Sequence, residues 1–111
     1  MSKISYGRVM LKKRVSLGGE SFVVYQGMIV KIGSKVSNNF GTTYFCLLEE
    51  AGEEERFLKL YGDEITEIAT GGLNLKQVSD HNHLLRRENQ RVEAFVLNNL
   101  SGGSDFNIKL L

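Results

Sequence analysis

Proline and tryptophan are both absent from this 111-residue chain, and cysteine occurs only once. A single thiol, Cys46, cannot form an intramolecular disulfide, which excludes the disulfide-stabilised scaffold of many small secreted domains. Because the neighbours of Cys46 are apolar, we expect this thiol to be buried and unreactive rather than nucleophilic. In the absence of proline, every tight turn must use glycine, asparagine or aspartate, and the chain contains 12 glycines.

Long apolar runs are also missing. No stretch approaches the ~20 apolar residues that cross a bilayer, and the first residues lack the apolar core of a secretion signal. We therefore expect a cytoplasmic protein with no membrane partner. Apolar residues make up 41% of the chain and charged residues 24%, which is typical of a folded globular protein. The length suits a single domain over residues 1–111.

Residues 1–70 alternate with a period of two and are rich in β-branched and aromatic residues, as short strands are. Gly18 and Gly19 predict a hairpin turn between a strand over residues 8–15 and a strand over residues 21–26. Further runs follow at residues 28–32, 42–49 and 56–61, and residues 64–68 fit either a short strand or a single helical turn. Residues 50–55 are predicted to form a solvated acidic turn. The pattern predicts five to six short antiparallel strands in a small barrel or sandwich.

The pattern changes to that of a helix over residues 74–100. Residues 75–100 contain no glycine, and good helix formers are common among them. Asn74, Ser79 and Asp80 are candidate N-caps, and the glycines at 102 and 103 favour termination of the helix. Residues 105–111 alternate again and predict a short terminal strand, which pairs with the sheet or with another subunit. The predicted fold class is therefore mainly β (α+β).

One face of the predicted helix has the spacing of a short coiled-coil seam. Leu85, Asn89, Val92 and Val96 follow alternating d and a positions over about two heptads. This face either binds a protein partner or a second copy of the chain, or packs against the chain's own sheet. A protein–protein adaptor or inhibitor, including a homo-oligomer, is therefore one predicted function.

Residues 42–68 combine an aromatic-containing strand, an acidic turn and a strand that ends in Tyr61, Gly62 and Asp63. This quarter of the chain resembles the later strands of Tudor-type SH3-like barrels. The resemblance implies a small SH3-like barrel and a cage of aromatic rings that holds methylated lysine or arginine by cation–π attraction. It places Tyr61 and Tyr44 as cage walls, with Phe40 as a further candidate.

Charge is unevenly distributed, although the formal net charge is only +1. Residues 1–48 contain seven lysines and arginines against one acid, whereas residues 49–70 contain eight acids against two basic residues. A basic first half with interleaved aromatic residues predicts contact with the phosphates and bases of nucleic acid. Alternatively, the basic and acidic strands pair and neutralise each other. The candidate phosphate-binding residues are Arg8, Lys12, Lys13, Arg14, Lys31 and Lys35.

No group of residues indicates catalysis, a cofactor or a metal site. His81 and His83 are two residues apart, so on a helix their rings diverge by ~200° and cannot form the i,i+4 zinc pair. No nucleophile-elbow or P-loop motif is present. We therefore expect a non-catalytic binding module. Association with nucleic acid without sequence specificity is the leading prediction, the adaptor is the alternative, and a Tudor-like reader of methylated side chains is the third.

Overall fold

The computed structural model describes residues 5–69 and 73–101. Within these ranges seven strands precede one helix. Their bounds are β1 Ser5–Val9, β2 Lys13–Leu17, β3 Glu20–Val24, β4 Ile29–Asn38, β5 Gly41–Leu48, β6 Arg56–Tyr61, β7 Ile65–Ile68 and α1 Leu75–Ser101. The predicted mainly β class is confirmed. The predicted terminal strand over 105–111 lies outside the described residues.

Every strand pairing is antiparallel. Five strands form one sheet in the order β6-β5-β4-β1-β7, and β2 and β3 form a separate hairpin. The hairpin lies next to the sheet's β6 edge, where the Lys13 ammonium donates to the Lys59 carbonyl at 3.5 Å. Gly18 and Gly19 have φ angles of +60° and +87°, so the predicted hairpin turn is confirmed with the left-handed geometry that glycine permits.

The strand predicted over residues 8–15 is wrong, because β1 and β2 are separate strands in different ladders. The end of β1 is bound to the segment before β4, since the Val9 carbonyl accepts from Gly27 and the Val9 amide donates to Met28. Beyond Val9 the chain leaves the sheet, and Met10 and Leu11 are exposed. This division gives seven strands in the described residues instead of the predicted five to six.

The core lies between the inner face of the sheet, the hairpin and the first half of α1. It is dominated by aliphatic side chains and contains Val9, Val15, Val24, Tyr25, Met28, Val30, Cys46, Leu48, Leu58, Leu60 and Ile65. Cys46 is only 2% exposed, which confirms that it is buried. Burial raises the pKa of its thiol to about 11, so the unreactive protonated form dominates near neutral pH.

Helix α1 begins at an asparagine cap, since the Gln77 amide donates to Asn74 Oδ1 at 2.9 Å. Its first half packs on the sheet through Val78, Asn82 and Leu85, whereas Val92 and Val96 in its second half are exposed. In the described part of the chain, no helix has an apolar stretch of the length needed to span a membrane.

Asn82 fixes the helix to the sheet. Its side chain is fully buried, its Oδ1 accepts from the Ile29 amide, and its Nδ2 donates to the carbonyls of Ile29 and Glu49, each at 2.8 Å. Ile29 and Glu49 lie just beyond the last β4–β5 pair, Lys31 with Leu47. The Asn82 side-chain amide therefore takes the place of a hydrogen-bonded backbone pair between β4 and β5. It satisfies backbone groups that burial would otherwise leave unpaired.

The acidic turn is only partly solvated, contrary to prediction. Glu50 is 5% exposed, and Arg86 Nε lies 2.8 Å from each of its carboxylate oxygens. A carboxylate this deeply buried requires such a partner, because loss of hydration must be offset by charge and hydrogen bonding. The Glu50–Arg86 ion pair thus connects the end of β5 to α1.

Candidate nucleic-acid interface

The outer face of the β5–β6 sheet carries three exposed aromatic rings. In β6, Leu58 and Leu60 point to the core, so the alternating residues Phe57, Lys59 and Tyr61 point outward. Phe45 of β5 is the cross-strand partner of Lys59 and shares this face. Phe57 is 62% exposed, and Phe45 and Tyr61 are each 44% exposed.

A β-bulge at Gly33 helps to shape this face. The β4–β5 register shifts between Ile32 and Ser34, so that Ile32 pairs with the buried Cys46 while Ser34 pairs with the exposed Phe45. A Cβ at Gly33 would lie 3.2 Å from the Phe45 carbonyl oxygen. The lack of a side chain at Gly33 therefore allows β4 to approach β5 closely beside the exposed ring.

A groove of about 510 Å³ lies where the hairpin meets this face. We name it the aromatic groove. The residues that line it are 13–16, Gly33, 45–47, 57–59 and Tyr61. Its charged lining residues are Lys13, Arg14 and Lys59, and no acidic side chain is among them. An apolar floor with a cationic rim is complementary to a ligand that has a flat apolar body and a negative charge.

Four of the six predicted phosphate-binding residues form ion pairs. Lys13 pairs with Glu64 at 2.9 Å, Lys31 with Glu49 at 3.2 Å and Lys35 with Glu67 at 2.9 Å. These three pairs join the basic first half to the acidic segment, which is the neutralising alternative that the sequence left open. Lys12 instead pairs with Glu93 of α1.

The two arginines among the predicted phosphate-binding residues differ from the four lysines in their ion pairing. Arg8 and Arg14 are exposed, and neither forms an ion pair with any residue of 5–69 or 73–101. Arg8 lies on β1, opposite Ile29 and Thr66. Arg14 lines both the aromatic groove and a second, polar cleft between the hairpin and α1. Arg14 is therefore the predicted residue best placed to bind an anion.

The polar cleft has a volume of about 540 Å³, and we name it the arginine cleft. Arg14, Arg56, Arg86 and Arg87 line it together with His83 and the carboxylates of Glu50, Glu53 and Glu93. Arg86 and Arg56 are engaged by Glu50 and Glu53. Arg87 is exposed and has no ion-pair partner among the described residues. The cleft thus places the exposed guanidiniums of Arg14 and Arg87 beside ion-paired arginines and carboxylates.

Lys12, Tyr25 and Glu93 clamp the hairpin segment to the helix. The Glu93 carboxylate accepts from the Lys12 ammonium and, at 3.1 Å, from the Tyr25 hydroxyl. The hydrogen bond from Lys12 is the main cause that holds the pKa of Glu93 below its usual value, and the same bond raises the pKa of Lys12. Lys12 is thus a structural contact in this conformation.

The structure does not bring the three candidate cage residues together. Tyr44 pairs with the buried Leu60, whereas Tyr61 pairs with Thr43, so the two tyrosines point to opposite faces of the sheet. Phe40 is 98% exposed in the β4–β5 turn. The ring of Tyr61 already has the Lys13 ammonium 4.7 Å from its centroid.

The predicted helix seam is divided between two environments. Leu85 packs against the core, whereas the Asn89 side-chain amide donates within the helix to the Leu85 carbonyl at 2.8 Å. Val92 is 60% exposed and Val96 is 46% exposed. Packing on the chain's own sheet is thus confirmed for Leu85, whereas the exposed Val92 and Val96 leave the partner alternative a prediction.

Of the two histidines, His81 contributes to helix docking through a hydrogen bond. His81 Nε2 lies 2.9 Å from the Gly27 carbonyl, and His83 Nδ1 lies 3.7 Å from Glu50. Among the residues that the structure describes, no three His, Cys, Asp or Glu side chains form a group that could hold a metal ion.

Phe45, Phe57 and Lys59 are absent from the sequence-based set of site residues. The alternating pattern of β6 could have identified Phe57 and Lys59. Because Leu58 and Leu60 point inward, Phe57, Lys59 and Tyr61 must point outward. The cross-strand position of Phe45 depends on the β5–β6 register, which the sequence does not specify.

Comparison with protein-family models, with curated proteins and with solved structures gives no match for this chain.

Proposed function

We propose that this chain is a non-catalytic binding module, built as a small barrel of the SH3-like kind, that associates with nucleic acid through the surface around Arg14. The observation that carries the proposal is the charge pattern of the aromatic groove, whose lining among the described residues has three cationic side chains and no acidic one around an apolar floor. The surface keeps Lys13 and Arg14 of the six predicted residues and adds Lys59, which the sequence did not single out.

Electrostatics supports a polyanionic partner rather than a small neutral ligand. The Lys13–Glu64 ion pair is partly buried, with side-chain exposures of 25% and 19%, so a phosphate must displace the Glu64 carboxylate to bind the Lys13 ammonium. Arg14 and Lys59 have no ion pair to break within the described residues. Lysines and arginines that neutralise phosphates release counterions, which provides affinity without sequence specificity.

Binding of labelled single-stranded and duplex oligonucleotides, followed by fluorescence anisotropy at low salt, tests this function. We expect Arg14→Ala and Lys59→Ala each to weaken binding by about fivefold or more. Arg91→Ala is the matched control, because Arg91 is exposed on α1 and lines neither the aromatic groove nor the arginine cleft. Equal weakening by all three variants, or no binding at all, would contradict the proposal.

A second candidate function is self-association through the second half of α1. Val92, Phe95 and Val96 expose apolar surface just beyond the part of the helix that packs on the sheet. The same face continues from Leu85 and Asn89, so a second copy of the chain would extend an existing apolar interface. This arrangement supports the adaptor alternative in its homo-oligomeric form.

Analytical ultracentrifugation over a range of protein concentrations tests the second function. We expect Val96→Glu to abolish self-association, because it places a charge in the proposed contact. Ala94→Glu adds the same charge on a different side of the helix and should leave association unchanged. A wild-type protein that stays monomeric at all concentrations would exclude this form of the adaptor.

The methyl-lysine or methyl-arginine reader remains a third proposal, supported by Tyr61 alone among the cage candidates. A ligand ammonium would have to replace that of Lys13 above this ring. Binding of methylated peptides by wild-type protein, with loss in Tyr61→Ala, would support it, and indifference of the wild type to such peptides would end it.

A further inference from the structure

We infer that the aromatic groove binds unstacked bases of a single strand, with Phe57 as the principal stacking residue and Phe45 and Tyr61 beside it. The inference rests on the proposed function and adds the class of nucleic acid and the residues that select it. The juxtaposition of three exposed rings with Lys13, Arg14 and Lys59 is the observation from which it starts.

The geometry suits stacking because the rings are held by a rigid sheet. Phe57 stands opposite Leu47, Lys59 opposite Phe45 and Tyr61 opposite Thr43, in alternate pairs of the β5–β6 ladder. Phe57 and Tyr61 are four residues apart on β6, roughly 13 Å, and Phe45, opposite Lys59, lies diagonally between them at about 7–8 Å from each, which allows successive bases to contact successive rings. Any base can stack on a phenyl ring, so the contact is tolerant of sequence.

The cations lie where a backbone that accompanies such bases would run. Lys59 lies between Phe57 and Tyr61 on β6, and Arg14 lines the groove from the hairpin side. The Arg56 guanidinium lies 4.9 Å from the Phe22 ring centroid on the adjoining surface. A strand that leaves the aromatic groove past Arg14 would therefore meet the arginine cleft next.

A duplex cannot make the same contacts. Its bases are stacked inside the helix, so their faces are not available to Phe57 unless the duplex is opened at a cost of a few kcal/mol per base. A neutral rim would suit an apolar ligand, but the rim of this groove is cationic. Charge complementarity thus favours a single strand over an apolar peptide or a second copy of this chain.

The absence of tryptophan from the chain permits a direct test. Phe57→Trp introduces a single indole into the groove and preserves a ring for stacking. Phe40→Trp is the matched control, because Phe40 is 98% exposed in the β4–β5 turn and does not line the groove. The probe is unlabelled oligo-dT, and the readout is quenching of the indole emission together with anisotropy of a labelled copy.

We expect oligo-dT to quench the emission of Phe57→Trp while leaving that of Phe40→Trp unchanged. We also expect Phe57→Ala to weaken single-strand binding about 5- to 150-fold, which corresponds to the loss of one stacked base, and to leave duplex binding unchanged. Phe57 is mostly exposed, so circular dichroism should show that Phe57→Ala remains folded.

The results that would contradict the stacking inference can be distinguished from those that would contradict nucleic-acid binding. Unquenched emission from Phe57→Trp with normal anisotropy would overturn the stacking inference and leave nucleic-acid binding in place. Failure of every variant and the wild type to bind would overturn both proposals. A concentration-dependent change in the Phe57→Trp emission without oligonucleotide would show that a second copy of the chain occupies the groove, which also overturns the inference.

Discussion

Asn82 shows how much of this fold depends on a single side chain. It is completely buried and makes three hydrogen bonds to backbone groups that strand pairing leaves without partners. No apolar residue can replace these bonds. A buried asparagine in the second turn of a helix is therefore a structural element of the β4–β5 junction.

We predict that Asn82→Ala lowers the free energy of unfolding by about 2–4 kcal/mol. The change leaves the amide and carbonyl of Ile29 and the carbonyl of Glu49 without their partner, and a buried unpaired polar group costs about 1–3 kcal/mol. Urea unfolding followed by circular dichroism measures the loss. A decrease below about 1 kcal/mol would show that water replaces the amide.

The Glu50–Arg86 ion pair leads to a second prediction at this scale. Arg86→Ala should destabilise the protein by about 3–5 kcal/mol, because the Glu50 side chain, only 3% exposed, then holds an unpaired charge. The double variant Glu50→Gln with Arg86→Met should recover part of the loss, since it removes both charges. Chemical denaturation of the single and double variants tests this, and equal destabilisation by both would contradict it.

These residues also mark a limit of prediction from sequence. The acidic run at residues 50–55 predicts a solvated turn from its charge alone, yet Glu50 is buried because Arg86, 36 positions away, faces it. Asn82 looks like an ordinary polar residue near a helix start. Burial of a polar side chain depends on distant partners, so neither role follows from local pattern.

At the scale of the element, local signals were informative where one face of a strand is buried. The alternation of β6 and the glycine pair of the β2–β3 turn both predict what the structure shows. The division between β1 and β2 was not predictable, since residues 8–15 read as one run. The end of β1 is held by distant residues, since the Gly27 amide donates to the Val9 carbonyl and the Met10 amide donates to the Glu64 carbonyl.

The clamp of Lys12, Tyr25 and Glu93 joins two such elements and gives a pH prediction. Its stabilising effect is fully present above the ordinary Glu93 pKa of 4.5 and is lost as pH falls through the lower folded value. We expect the wild-type melting temperature to decline more steeply than that of Glu93→Gln between about pH 6 and about pH 3. The difference should be small because the pair is exposed, and parallel curves would contradict the prediction.

At the scale of the whole molecule, the net charge is close to zero, but the basic side chains are of two kinds, ion-paired and unpaired. Among the described residues, the ion-paired cations are Lys12, Lys13, Lys31, Lys35, Lys76, Arg56 and Arg86, whereas Lys59, Arg8, Arg14, Arg87 and Arg91 have no ion pair. The division of the sequence into basic and acidic segments therefore predicts ion pairs between strands. It is a poorer predictor of the binding surface. The candidate surface depends on three-dimensional adjacency of the hairpin and β6.

The salt dependence of single-strand binding is the most direct test of the proposed function. If Lys13, Arg14 and Lys59 each neutralise one phosphate, a plot of log affinity against log salt concentration should have a slope of about −2, and Arg14→Ala should make it shallower by about 0.7. Arg91→Ala should retain the wild-type slope. A slope near zero, or an Arg14→Ala slope equal to that of the wild type, would contradict phosphate binding at this surface.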